Sequence, residues 1–496
     1  MQFCSTRNSE VRITSGEAII KGISDDGGLF VPLEIPRLYP EELLSLNNDY
    51  SRIAARVISS YSDDFDPCLI EAMCRSSYDS GFGSKPAPVT ELDDALFSLE
   101  LWHGPTLAFK DLALQFVPRL LAEAKKKASD MKTSLILTAT SGDTGKAALE
   151  GFKDMDGAGI MVFYPAKGVS EIQKKQMVTQ QGNNLFVAAV DGVFDDAQRA
   201  VKTLMTDTAL INELSKKNMR FGSANSINFG RLSPQIVYYF TAYLSLVEKK
   251  AVKIDEKINI CVPSGNFGNI FAAYLAMEMG LPVNKLICAS NKNDVLFEFI
   301  RTGTYTALRA FHTTISPSMD ILVSSNVERL VWRLTGQDSR RTKKLYESLN
   351  SDGSFSLSEA ELAVLKQHFI SFSCDDIQTK KMIKTVYDRY GYLIDPHTAV
   401  GFDALFKYRE QTGDTTPTVA VSAASPFKFA ESVLSALEQP PETGFDALES
   451  LSDYCTLPIP EPLRELKNLP VRYDNCFSNG DEKRALFEFI RVLERK

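Results

Sequence analysis

The chain has 496 residues, 44% hydrophobic and 24% charged, with a formal net charge of −8. This is the composition of an ordinary globular protein, too long for a single core and so divided into two or three domains, and it excludes a disordered chain. The negative balance disfavours a sequence-independent nucleic-acid binder, which needs clustered Lys and Arg to displace counterions.

The eight cysteines are scattered, and none of the four histidines (His103, His312, His368, His397) lies within helical ligand spacing of another. A disulfide framework, a zinc site and metal catalysis are therefore not expected. The first twenty residues lack a basic segment followed by an apolar one, and no stretch approaches the ~20 apolar residues needed to span a bilayer. A cytoplasmic protein with no membrane partner is expected.

Residues 1–95 mix short helical patterns with turns such as Asp25-Asp26-Gly27-Gly28, and read as a separate N-terminal unit. From Thr133, apolar β-rich runs alternate with helical patterns: SLILTAT then KAALEGF, GIMVFYP then SEIQKKQMV, NLFVAAVDG then DAQRAVKTLM. That rhythm predicts βαβ units and a parallel sheet. It resumes with INICVP then NIFAAYLAMEMG, and with LICAS then DVLFEFIRTG, which predicts a second α/β sheet and a cleft between the two. Residues 338–378 are charged and helical in pattern and are expected to lie outside the sheets. TKKMIKTVYDRYGY predicts an amphipathic helix stopping at Gly391. TPTVAVSAASPFKF predicts a last buried strand and a helix start at Ser425-Pro426.

Four segments carry chemistry. In the first, a Gly104-Pro105 turn precedes an apolar stretch ending in Phe109-Lys110-Asp111. A desolvated lysine has its charged form disfavoured, which frees the amine to attack an aldehyde. Taken alone, a lysine that merely snorkels at a helix start is the commoner case. The second segment is Thr140-Ser141-Gly142-Asp143-Thr144-Gly145, and the third Pro263-Ser264-Gly265-Asn266-Phe267-Gly268-Asn269. Each joins a strand to a helix, where free N–H groups and the positive dipole end can hold an anion, although such turns are as often only tight connections. Neither is a Walker loop, since Ala147 follows Lys146, and neither carries G-x-G-x-x-G. A small phosphorylated cofactor beside a small anionic substrate fits this pair. The fourth segment, residues 223–231, gathers Asn225, Ser226, Asn228 and Arg231; it could grip a phosphate or be an Asx-rich turn before an N-capped helix.

The ordered segments HGPTLAFKD, TSGDTG, SANSIN and VPSGNFGN, together with ISDDGGLFVP near the start, resemble the signatures of the threonine synthase family, in its longer microbial and fungal-type branch. The resemblance runs through nearly the whole chain. It implies an α/β fold of fold-type II, dependent on pyridoxal 5'-phosphate (PLP), with the cofactor between a large domain (residues 96–132 and 226–430) and a small one (133–225). Residues 431–496 are then expected to pack on the large domain.

By the same resemblance, Lys110 carries the cofactor with Phe109 beside it, and residues 264–269 (Ser264, Gly265, Asn266, Phe267, Gly268, Asn269) hold its phosphate. Thr140, Ser141, Gly142, Asp143, Thr144 and Gly145 take the substrate carboxylate; Asn225, Ser226, Asn228 and Arg231 face the substrate phosphate. Ala423 stands where the family carries a threonine against the pyridine nitrogen, so Ser422 or Ser425 is expected to replace it, or the nitrogen lacks a protein partner. The implied reaction converts O-phospho-L-homoserine and water into L-threonine and phosphate, by a monomer or homodimer. A phospho-lyase or hydroxyamino-acid dehydratase on the same scaffold, or a non-catalytic PLP-binding relative, are the alternatives.

Overall fold

The computed structural model describes residues 1–140, 142–167, 169–478 and 480–494. Near the N-terminus, Phe3–Ser5 pairs antiparallel with both Asn8–Ile13 and Phe30–Pro32. Helix Ser15–Lys21 follows, begun by a capping box between Thr14 and Glu17 that satisfies two otherwise orphaned N–H groups.

The large sheet runs in the order Phe369–Ser373, Val283–Ser290, Ile258–Pro263, Thr418–Ser422, Leu96–Glu100 and Val89–Asp93. All neighbours are parallel except the last pair. Side-chain alternation explains why its central strands read as unbroken apolar runs. Ile258, Ile260 and Val262 point into one core with Ile270 and Phe271, while Cys261 between them joins another with Val400 and Phe402. Helices Gly268–Met279 and Pro396–Thr412 thus cover the two faces, leaving neither to water.

The small sheet is wholly parallel, in the order Cys476–Phe477, Leu185–Val190, Ala158–Pro165, Thr133–Ala139 and Met219–Gly222. Among the described residues no helix is long and apolar enough to cross a membrane.

Three expectations are corrected. Residues 338–378 do not stay outside the sheets: Phe369–Ser373 is the edge strand of the large sheet, in register from Leu286↔Phe369 to Ser290↔Ser373. Ser354–Ser356 pairs with Thr304–Thr306. Both strands are short and flanked by charged amphipathic helices, which mask the period of two. Val89–Asp93, assigned to the N-terminal unit, is the opposite edge of the large sheet.

The C-terminal segment is divided between the two domains. Val433, Leu434, Leu448 and Leu451 join the large-domain core. Cys476–Phe477, by contrast, edges the small sheet, and helix Glu482–Leu493 buries Leu486, Phe489 and Ile490 against Leu135, Met161 and Phe186. Each such side chain stabilises by roughly 1.5–3 kcal/mol. Its i, i+3, i+4 stripe is readable from sequence, but the surface that receives it is not; Gly159 makes room, since a Cβ there would lie 2.8 Å from Phe489 Cζ.

Both anion-loop candidates lie at the carboxyl ends of parallel strands, where α/β folds place ligands. The short helix Lys110–Leu114 packs on the small-domain helix Asp143–Phe152 through Gly151. A Cβ at Gly151 would sit 1.9 Å from the Leu114 carbonyl oxygen. Gly151→Ala is expected to lower stability by about 1–3 kcal/mol despite alanine's better helix propensity. A urea midpoint that is unchanged or raised would contradict this close packing.

Candidate active site

Between the two sheets lies a cavity of about 720 Å³, within the usual range for small-molecule sites. Lys110 opens the first turn of its helix and is 7% exposed. Its Nζ lies 4.7 Å from the centroid of the Phe109 ring, donates to Ser318 Oγ at 3.2 Å and is 3.6 Å from Asp143 Oδ2. Burial pushes the Lys110 ammonium below its ordinary value, Asp143 opposing this and the Lys428 and Arg231 cations adding to it. A buried amine so biased is suited to nucleophilic and proton-transfer work.

Asp143 stands in the first turn of its helix, where the dipole favours a carboxylate. Burial alone would raise its pKa, but Lys428 and Lys110 outweigh that and hold the carboxyl well below the usual carboxylate range. Its Oδ1 is 2.6 Å from Lys428 Nζ and accepts from Gln173 Nε2 at 3.1 Å. Lys428 Nζ also donates to the Thr106 carbonyl at 2.8 Å. The Thr106 amide and hydroxyl in turn donate to Asp111, at 2.8 and 2.5 Å, and burial pushes the Asp111 carboxyl up to about 6.

The loop after Ile258–Pro263 enters its helix with Phe267 in the left-handed region, φ 63°, an uncommon backbone state for a side chain of that size. The helix-start amides of Gly268 and Asn269 have no intrahelical acceptor. Asn326 holds the loop by donating its N–H and its Nδ2 to the Asn266 carbonyl at 3.1 and 2.9 Å. Asn269 Oδ1 is tied by the hydroxyls of Tyr238 and Tyr239, at 2.6 and 2.5 Å. Gly265 is required by close approach: a Cβ would lie 2.6 Å from the Ser318 carbonyl oxygen.

Arg231 is 4% exposed and lines the same cavity. Its Nη1 donates to the Ala224 carbonyl at 2.7 Å, while its Nε has no partner among the described residues. Burial pushes its pKa down to about 10, so it remains a cation. An anion on Arg231 would supply the missing acceptor.

Of the residues expected from sequence, Lys110, Phe109, Thr140, Asp143, Thr144, Asn225, Ser226, Arg231 and all of residues 264–269 line the cavity. Ser141 lies outside the described residues. Gly142 and Gly145 are not brought to the cavity: both amides donate to Thr140 Oγ1, at 2.9 and 3.0 Å, which closes the turn on itself. Asn228 is not brought there either, because it caps helix Phe229–Glu248 and donates to the Ile19 carbonyl at 2.9 Å. Ser422 is displaced too, its Oγ accepting from Trp102 Nε1 at 3.2 Å. Ala423 and Ala424 form that wall, and neither Ser422 nor Ser425 lines it. Nothing local in the sequence marks Lys428, His397 or Ser318 as site residues. Asp395-Pro396-His397-Thr398 does carry a helix-start signature, an N-cap followed by proline, but nothing in it says that the helix begins at a cavity.

The residues present fit PLP: a buried amine, a helix-start loop for a phosphate, and a wall of small residues at Gly265, Ala423 and Ala424. Comparison with known proteins agrees. A family described as "Pyridoxal-phosphate dependent enzyme" matches residues 86–423, flanked by "Threonine synthase N terminus" over 2–78 and "Threonine synthase, C-terminal" over 398–485. "Threonine synthase-like 1" of Homo sapiens is 38% identical over 463 residues, covering 90% of this chain; the chain spans only 61% of that relative's length. "Threonine synthase" of Pseudomonas aeruginosa is 38% identical over 440 residues, covering 87% of this chain and 90% of the relative. The crystal structure of threonine synthase from yeast superposes with a TM-score of 0.89 at 31% identity, covering 100% of this chain and 99% of that one. The PLP-bound threonine synthase from Brucella melitensis gives 0.88 at 33%, covering 99% of each chain. With its lysine, its loops and its flanking segments all of one kind, this chain belongs to the threonine synthase family of pyridoxal-phosphate dependent enzymes.

Proposed function

We propose that this chain converts O-phospho-L-homoserine and water into L-threonine and phosphate, the last step of threonine biosynthesis, using PLP. The observation that carries this reading is Arg231: a buried guanidinium whose Nε has no partner among the described residues, in the same cavity as Lys110 and a second anion loop. One phosphate is the cofactor's; the other belongs to the substrate. The reading also takes the enzyme to be cytoplasmic, a monomer or homodimer, and without nucleic-acid partners, in keeping with its net charge of −8.

When bound to Lys110, the cofactor supplies an electron sink for carbanions that water would not tolerate. Residues 264–269 hold its phosphate at the helix start. Thr144, at the start of helix Asp143–Phe152, receives the substrate carboxylate, while Asn225, Ser226 and Arg231 grip the substrate phosphate until it leaves from Cγ. The free amine of Lys110 takes the Cα proton, gives it up within the site and, neutral again, takes a Cβ proton; as phosphate leaves and water adds at Cβ, protons return to Cγ and Cα, and the remaining water proton goes with the phosphate. The lowered pKa of Lys110 keeps more of its amine in the neutral, proton-accepting form. Asp143 and Lys428 keep the two sides of the cleft together, so that water adds at Cβ under control.

Purified protein given O-phospho-L-homoserine should release phosphate and threonine in equal amounts; phosphate with 2-oxobutyrate and no threonine would instead indicate a lyase. Arg231→Gln should lower kcat/KM by roughly 10- to 150-fold, the equivalent of about 1.5–3 kcal/mol for a hydrogen bond to a charged group. A rate within twofold of the parent would remove Arg231 from substrate binding. Asp143→Asn and Lys428→Met should each cost about 3–5 kcal/mol in urea unfolding, while the double variant costs less than their sum. Because the Asp143 carboxyl is held below its ordinary value, its contribution is present above about pH 4 and lost as the pH falls further. Asp143→Asn should therefore flatten the acid limb of the stability profile.

A further inference from the structure

Behind Lys110 stands a buried chain that the proposed reaction does not use. Asp395 is fully buried and caps helix Pro396–Thr412. Its Oδ2 accepts from the His397 amide at 2.9 Å and lies 2.6 Å from His397 Nδ1. His397 Nε2 accepts from the Ser318 amide at 3.1 Å, which places the ring proton on Nδ1. Ser318 sits in the three-residue turn Pro317–Met319, and its Oγ accepts from Lys110 Nζ. The Ser318 carbonyl lies against Gly265 of the cofactor loop. The His397 ring is 3% exposed and packs edge-on against Phe429 with centroids 4.9 Å apart.

We propose that His397 is a positioning residue for Lys110, acting through the Ser318 turn. A single turn of 3₁₀ helix holds itself poorly. Here an imidazole fixed at both ends pins its amide, and so sets the hydroxyl that receives the Lys110 amine and the carbonyl that rests on Gly265. Both ring nitrogens are already engaged, so neither is left for a substrate proton. Asp395 extends the same support to the opposite wall: its carboxylate accepts from the Thr398 hydroxyl, which accepts from the Ala423 amide at 3.0 Å. The inference rests on the role given to Lys110 under the proposed function.

Two near-isosteric variants separate the ring's two contacts. Asn in place of His397 keeps a donor where Nδ1 stood and nothing where Nε2 stood; Gln reaches the Nε2 position with an acceptor. In the PLP-loaded enzyme, His397→Asn should lower kcat by roughly 10- to 100-fold with KM within about twofold. It should also speed amide exchange in the peptide spanning residues 314–322. His397→Gln should restore both. Ser318→Ala keeps the amide and removes the hydroxyl, so it should lower kcat while exchange stays at the parent rate. Equal effects of Asn and Gln on kcat and exchange, or an unchanged kcat in Ser318→Ala, would overturn the proposal. A parent enzyme with no turnover of O-phospho-L-homoserine would instead overturn the functional reading, since the exchange comparison needs no turnover.

Discussion

The structure depends on one buried carboxylate. Asp143, from the first turn of a small-domain helix, stands between Lys428 and Lys110 of the other side of the cleft. Removing three charges from water costs several kcal/mol per ion, and the mutual attraction offsets this only with close geometry and further hydrogen bonds. Both are present: Gln173 donates to Asp143, and Lys428 donates to the Thr106 carbonyl. Thr106 is in turn fastened to Asp111, the neighbour of Lys110, so the ion pair across the domains also fixes the turn that presents the lysine.

The charges around the cavity do not cancel. Lys110 and Lys428 face Asp143 and Arg231 adds a third cation at the cavity wall, while the Asp320 carboxylate is taken up by Asn291, Asn293 and Thr314. A cationic excess in the cavity invites anions, and the helix-start amides of Gly268 and Asn269 add N–H groups to receive them. An acidic chain thus concentrates positive potential at one place. On the proposed function, that local field would recruit a phosphorylated cofactor and a phosphorylated substrate without making the surface basic.

Much of this was legible in the sequence because the signals were local. The alternation of apolar strands with helices predicts both parallel sheets, and the Gly-rich strand-to-helix turns carry residues 264–269 and Asp143 to the cavity. Gly391 ends its helix as the pattern requires, in the left-handed conformation. What was not legible depends on partners far along the chain. Lys428 follows an unremarkable Pro-Phe, and only the fold brings it to Asp143. Phe369–Ser373 reads as part of a charged helical stretch until its pairing with Val283–Ser290 is known. Asn228 and Ser422 have the right chemistry for a site, but Asn228 is used to cap a helix and Ser422 to receive the Trp102 indole.

The central claim is that, of the lysines gathered near the cleft, Lys110 alone has its amine turned to cofactor chemistry while Lys428 is held as a counter-ion. Borohydride reduction of the PLP-loaded protein, followed by peptide mapping, tests this directly. The account predicts a single phosphopyridoxyl group, on Lys110. Attachment at Lys428 or Lys146, or a protein that binds PLP without any covalent fixation, would contradict it.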